Sequence, residues 1–271
     1  MKITRVFKNM IVVLAIAGAL LSAPAAAHAA VFVGVGFAPP HARTARFPMK
    51  SAFIFDLDGT LIDSVYQHVI AWSEALDSEG LSLPVSRIHR KIGMSSELFA
   101  KQLLREVGGH IDTDRVKRIK KRQGEAFDRL NGQIQPLPGA RELLAALTAA
   151  HIPWAIATSG SPEATASNLE KLSLDASKTL VLTGDEVEHG KPEPDLFLKA
   201  AERLGVPIER AYIVGDSIWD LLGARRCHSL GIGLTSGGVG EAELREAGAI
   251  RVYRDPADLL DHLDELATHP D

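Results

Sequence analysis

The feature that most constrains this chain is the stretch Phe53-Ile54-Phe55-Asp56-Leu57-Asp58-Gly59-Thr60. An apolar, β-prone run feeds two carboxylates two residues apart, and a glycine then breaks the strand. Residues i and i+2 of a strand point the same way. Asp56 and Asp58 are therefore expected on one side of the C-terminal tip of a buried strand, where open α/β sheets bind their ligands. Two carboxylates on one side repel unless a cation lies between them, and Mg²⁺ is the hard, oxygen-seeking candidate. An isolated Asp-x-Asp is more simply read as a solvated acidic turn. Elements further down the chain decide against that reading.

From Arg141 onward helices and strands alternate. Strands are predicted at Trp154–Ala157, Leu180–Leu182, Ala211–Val214, Gly231–Leu234 and Ile250–Tyr253, with helices over 140–150, 163–172, 194–204, 218–228 and 256–267. Alternation with short connections implies a parallel sheet covered by helices. Residues 64–135 carry only helical periodicity. Helices are predicted over Val65–Ser78, Ser96–Val107 and Asp112–Leu130, and the block closes at Pro136-Leu137-Pro138-Gly139. It reads as a helical insert placed directly after the acidic tip.

The later strand tips answer the first one. Ala155-Ile156-Ala157 ends in Thr158-Ser159-Gly160, where hydroxyls and backbone N–H groups can hold phosphoryl oxygens. Lys191 is pinned between Gly190 and Pro192, so a fixed backbone carries its charge. Tyr212-Ile213-Val214 ends in Gly215-Asp216-Ser217-Ile218-Trp219-Asp220, which adds two carboxylates. Asp216 can complete a metal site. Asp220 can ligate through water or orient its neighbours, and an Asp at a helix N-terminus also serves as a plain cap. Taken singly, a Ser/Thr turn is usually only a turn, and a lysine usually a surface residue.

In this order the four signatures resemble the haloacid dehalogenase-like (HAD) superfamily: Asp-Leu-Asp-Gly-Thr, a strand ending in Thr158, Gly-Lys-Pro, and Gly-Asp-Ser-x-x-Asp. The resemblance covers about residues 50–255, and the first and last motifs carry its specificity. It implies a Rossmann-like parallel-sheet α/β core with helices on both faces over 50–64 and 136–271. It also implies an α-helical cap over 65–135, similar to phosphoglycolate phosphatase-like and β-phosphoglucomutase-like members. The implied chemistry is Mg²⁺-dependent hydrolysis of a small phosphorylated metabolite. Asp56 would be the nucleophile that forms an aspartyl-phosphate, and Asp58 the general acid and base. Mg²⁺ would be held by Asp56, the Asp58 backbone carbonyl and Asp216. Thr158, Ser159 and Lys191 would bind phosphate, and Gly59 would let the backbone approach it.

Sister activities fit less well. Dehalogenases of the superfamily lack the second acid and the metal, and phosphonate-cleaving members carry Ala-Gly-Thr where this chain has Asp58-Gly59-Thr60. A sugar-phosphate mutase of the β-phosphoglucomutase type is the nearer alternative. His68 resembles the hinge histidine that assists the acid/base Asp there, although on an amphipathic helix it also reads as a half-exposed residue. The cap arginine of such mutases has no match in Gly93-Met94-Ser95-Ser96-Glu97, and the last motif opens Gly-Asp rather than Glu-Asp. Candidate substrate readers in the cap lie in His89-Arg90-Lys91-Ile92-Gly93-Met94, a basic turn that could face the carboxylates, where Arg90 or Lys91 could bind a second anionic group. The basic helix 112–130 reads as a solvated outer face, because Val116, Ile119, Phe127 and Leu130 define its buried side.

Charge and the amino terminus bound the rest. The net charge is −4, but Lys2, Arg5, Lys8, Arg43 and Arg46 all precede residue 50 and no acid precedes Asp56, so the body carries −9. An acidic body argues against nucleic acid as partner. The only cysteine, Cys227, excludes an intramolecular disulfide and a Cys-rich metal site. Residues 1–30 have a basic start, an apolar stretch from Ile11 to Leu21 and an Ala27-His28-Ala29 cleavage signal, the three parts of a secretory signal. The apolar stretch is too short for a membrane span. Residues 31–49 read as a tether. The pattern predicts a periplasmic or secreted protein; a cytoplasmic product starting at Met49 is the alternative.

Overall fold

The computed structural model describes residues 51–266 apart from 107 and 109–111, so the predicted signal and tether lie outside the described residues. The elements run β1 (Ala52–Phe55), β2 (Ile62–Asp63), α1 (Val65–Asp77), α2 (Val85–His89), α3 (Ser96–Glu106), α4 (Thr113–Leu130), β3 (Gln135–Pro136), α5 (Ala140–Ala149), β4 (Trp154–Ala157), α6 (Pro162–Lys171), β5 (Val181–Leu182), α7 (Asp195–Leu204), β6 (Ala211–Gly215), α8 (Ile218–Arg226), β7 (Leu230–Leu234), α9 (Glu241–Ala247), β8 (Ala249–Tyr253), α10 (Pro256–Asp261) and α11 (Leu263–Leu266).

The main sheet has six strands in the order β5-β4-β1-β6-β7-β8, and every pairing is parallel. The sequence of β1 explains its central place. Phe53 and Phe55 point to one face, where they pack with Leu143, Leu144 and Leu147 of α5. Ala52 and Ile54 point to the other, against Leu196, Phe197 and Ala200 of α7. A strand apolar on both faces must be covered on both, which the parallel α/β arrangement provides. Phe55 is level with Ile156 of β4 and Val214 of β6. The tips that follow, Asp56, Thr158 and Asp216, are thereby brought side by side.

The insert leaves and returns through one point. β2 and β3 pair antiparallel, Ile62 with Pro136 and Asp63 with Gln135, so α1–α4 are strung between two adjacent strands. They have their own apolar centre, including Val69, Trp72, Leu76, Phe99, Leu103 and Ile119. Among the described residues no helix is long and apolar enough to cross a membrane.

Several predicted boundaries shift. The short helix α2 was not evident, since only Ile88 of its five residues is buried and no apolar stripe betrays it. The helix predicted over 256–267 is broken at His262 into α10 and α11. The strand expected from Leu180 starts at Val181.

Candidate active site

Asp56 continues β1 beyond its last paired residue and is nearly fully buried; its N–H donates to Val214 O at 2.8 Å. Its carboxylate accepts from Lys191 Nζ. The same ammonium lies 2.8 Å from Asp220 Oδ1 and 5.3 Å above the centre of the Phe197 ring. Lys191 is therefore a buried cation rather than a surface lysine. Burial alone would lower its pKa, but Asp220 and Asp56 outweigh that and hold the ammonium above its usual range.

Asp216 and Asp220 follow β6. Asp216 Oδ1 accepts from Thr60 Oγ1 at 2.9 Å. Asp220 Oδ2 accepts from Ser217 Oγ at 2.6 Å and from Ser217 N at 3.3 Å, the second bond closing a capping box at the start of α8. Asp220 thus both caps its helix and pairs with Lys191. Carboxylate oxygens of Asp56, Asp216 and Asp220 lie within 4.8 Å of one another. Burial, with Asp220 and Asp58 adding and Lys191 opposing, pushes the Asp56 carboxyl up to about 7. Burial and the charges of Asp56 and Asp220 push Asp216 well above the carboxylate range.

One ammonium among three buried carboxylates leaves negative charge in excess, and every donor is a hard oxygen. That set fits a hard divalent cation such as Mg²⁺. The backbone is shaped to keep Asp216 in place. A Cβ on Gly237 would stand 1.7 Å from Asp216 Oδ2, and one on Gly59, whose φ is +84°, would stand 2.3 Å from it. Only glycine admits so close an approach.

Asp58 has a different environment. It is half-buried, and three groups converge on its Oδ1: Ser64 Oγ at 2.6 Å, Asn168 Nδ2 at 3.4 Å and His68 Nε2 at 3.4 Å. Burial would raise its pKa, but the His68 charge and the hydrogen bonds from His68 and Ser64 win and hold it below its ordinary value. His68 stacks on Phe127, with ring centres 4.0 Å apart, and its Nδ1 faces Gln123 Nε2 at 3.3 Å. His68 is half-buried on α1 and its ring lies beside the Asp58 carboxylate.

Thr158 is buried at the tip of β4. Its Oγ1 accepts from Gly160 N at 3.0 Å, which leaves the hydroxyl proton free to donate. Ser159 Oγ instead donates to Gly93 O of the insert at 3.3 Å. Ser95 N also donates to Lys191 O at 3.3 Å, so the loop after α2 rests on the loops that carry the site. Between insert and core lies a cavity of about 760 Å³. Asp56, Asp58, His68 and Thr158 line its floor, and Trp72, Met94, Phe99, Lys120 and Gln123 line it from the insert.

Two expectations for the insert need correction. Of the turn 89–94, Ile92, Gly93 and Met94 line the cavity but Arg90 and Lys91 do not: Arg90 reaches Glu243 at 3.0 Å and Lys91 reaches Glu106 at 2.5 Å. Each basic side chain finds an acid nearer than the site. The helix expected to be a solvated outer face does the reverse in part, since Lys120 and Gln123 of α4, three residues apart, both face the cavity. Ser64, Asn168, Gln123 and the role of Thr60 were missed. Thr60 sits inside the first motif, where its buried hydroxyl could have been suspected, but single polar residues on helices give no signal of their own.

The family description "haloacid dehalogenase-like hydrolase" matches residues 50–228. Hexitol phosphatase A of Escherichia coli (strain K12) is 34% identical over 184 residues, 66% of this chain and 82% of that protein. A phosphorylated carbohydrates phosphatase of Thermotoga maritima is 31% identical over 221 residues, 79% of this chain and 99% of that protein. The crystal structure of a hydrolase from Pseudomonas syringae superposes with a TM-score of 0.79 at 53% identity, covering 80% of this chain and all of that one. The chain belongs to the haloacid dehalogenase-like hydrolase family. Within it, the chain is a phosphoric monoester hydrolase, the class to which its phosphatase relatives belong.

Proposed function

We propose that this enzyme hydrolyses a small polyhydroxylated phosphomonoester, a sugar or hexitol phosphate, through an aspartyl-phosphate on Asp56 and with Mg²⁺ bound. The observation that carries the reading is the contrast between Asp56 and Asp58. One carboxylate is buried against an ammonium, and the other is open to the cavity with three groups on one of its oxygens. Two carboxylates in unlike environments can take unlike roles.

Asp56 attacks phosphorus, forming the Asp56 O–P bond while the bond to the leaving alcohol breaks. Lys191 holds Asp56 in place and offsets the negative charge gathered there. The Thr158 hydroxyl donates to a phosphoryl oxygen. Asp58 gives a proton to the departing alkoxide and then takes one from the water that cleaves the aspartyl-phosphate. A phosphate dianion docking beside Asp58 adds like charge, which raises its carboxyl from the depressed value and lets it carry the proton. Asp56, Asp216 and the Asp58 carbonyl would hold Mg²⁺, which supplies positive charge against the anionic substrate.

The cavity leaves room for a leaving group larger than glycolate, and hexitol phosphatase A and the phosphorylated carbohydrates phosphatase are named for carbohydrate phosphates, although other relatives at 31–32% identity are named phosphoglycolate phosphatase. The test is phosphate release from a panel of hexitol, hexose and glycolate phosphates, with and without EDTA, by wild type and Asp56→Asn. Release by wild type that is lost with EDTA and in the variant supports the reading. Equal release by the variant, or isomerisation of a sugar phosphate without phosphate release, contradicts it.

A further inference from the structure

Asn168 lies on α6, away from all four motifs, and is buried. Its Nδ2 is 3.4 Å from Asp58 Oδ1. The amide can face that carboxylate only with its NH₂, since the reverse orientation would set two oxygens against each other. Its own Oδ1 then has no hydrogen-bond partner among the described residues. Burying an unpartnered carbonyl costs stability, so nothing in packing alone selects an asparagine there. Leucine has similar bulk without that cost.

The distribution of contacts on Asp58 is one-sided. Ser64, Asn168 and His68 all meet Oδ1. Oδ2 has no hydrogen-bond partner among the described residues and lies toward Gly160, 3.9 Å from where a Cβ on that glycine would stand. One oxygen of Asp58 is thus tied down, and the other is left for proton exchange in the cavity. His68 belongs to the insert, whereas Asn168 belongs to the α/β core, so Asn168 holds the carboxylate independently of the insert.

We propose that Asn168 is a positioning residue for the proton-carrying aspartate: it fixes Asp58 by Oδ1 and so presents Oδ2 to the leaving group. The inference rests on the reading of Asp58 as general acid. It predicts that loss of Asn168 harms substrates in proportion to their need for a proton. An alkoxide needs one to depart; p-nitrophenolate does not. The quantity kcat/KM covers steps up to release of the leaving group, so the comparison isolates the acid role.

The experiment measures kcat/KM for butyl phosphate and for p-nitrophenyl phosphate with wild type, Asn168→Leu and Asn168→Ala, each with Mg²⁺, alongside thermal melting. Both substrates are assayed on the same sample, so any unfolded fraction cancels in their ratio. The expected result is a fall of about tenfold or more in the butyl-to-nitrophenyl ratio for both variants, with Asn168→Leu melting no lower than wild type. An unchanged ratio with wild-type turnover of both substrates overturns the positioning role alone. A ratio in Asp58→Asn no lower than wild type overturns the general-acid reading on which it depends.

Discussion

Lys191 Nζ lies 2.8 Å from Asp220 Oδ1, and neither side chain reaches solvent. The same ammonium donates to Asp56. Removing one partner from a buried ion pair leaves uncompensated charge, at a cost of about 3–5 kcal/mol. Lys191→Met is expected to lose stability of that order in urea denaturation of the metal-free protein. Lys191→Met with Asp220→Asn is expected to recover part of it, because the stranded charge goes too. A single variant as stable as wild type would mean that the three carboxylates do not depend on this lysine.

The raised carboxyls give the metal-free protein a pH dependence of definite sign. Asp56 is held at about 7 in the fold against 3.8 as its ordinary value, so between those limits the folded state binds more protons than the unfolded chain. Stability then falls as pH rises through that window. Asp216, raised for the same reasons, adds to the fall. Tm measured in EDTA should drop as the pH is taken from about 5 to about 8. Added Mg²⁺ should raise Tm, more at the higher pH, since it binds the ionised form. A metal-free Tm that rises over this interval would contradict the assignment of buried, mutually repelling acids.

The approach of Gly237 to Asp216 makes a sharper test of the metal site. A Cβ there would stand 1.7 Å from Asp216 Oδ2, so Gly237→Ala must push the carboxylate aside. Activity titrated with Mg²⁺ should need at least about tenfold more metal for half-maximal rate, the effect expected on disturbing a metal site's support. Gly240→Ala, where no atom stands within 4 Å, is the control and should titrate like wild type. Identical titrations for both variants would remove Asp216 from the metal site.

Much of this site was legible because its residues follow buried strands. β1, β4 and β6 are apolar runs that cannot be exposed, and their register in a parallel sheet aligns Asp56, Thr158 and Asp216. Lys191 was legible through its Gly-Lys-Pro setting. The insert was legible as helices but not as a binding face. Arg90 and Lys91 look like anion readers in sequence, yet Glu243 and Glu106 take them up, and Glu243 is 153 residues away from Arg90 in the chain. Which face of α4 meets the core depends on how the insert folds back over the strand tips, and helical periodicity carries no information on that. Asn168 reads as one polar residue in an ordinary helix until the structure sets it beside Asp58.

Lys120 is the insert cation that does line the cavity. If the leaving group is a polyol, Lys120 can donate to its hydroxyls. Lys120→Ala should raise KM for a hexitol phosphate by about tenfold, the size of one charge-assisted hydrogen bond. kcat for p-nitrophenyl phosphate, which has no such hydroxyls, should be unchanged. Equal effects on both substrates would assign Lys120 to the architecture of the insert rather than to substrate recognition.

If the reaction runs as proposed, Asp56 carries the phosphoryl group between substrate and water. Wild-type enzyme quenched in acid during turnover, digested and weighed by mass spectrometry tests it most directly. The expected result is a gain of about 80 Da on the peptide containing Asp56, the mass of one phosphoryl group in an aspartyl-phosphate, and no gain in Asp56→Asn. A phosphoryl group on any other residue, or turnover of wild type with no phosphorylated peptide at any quench time, would contradict it.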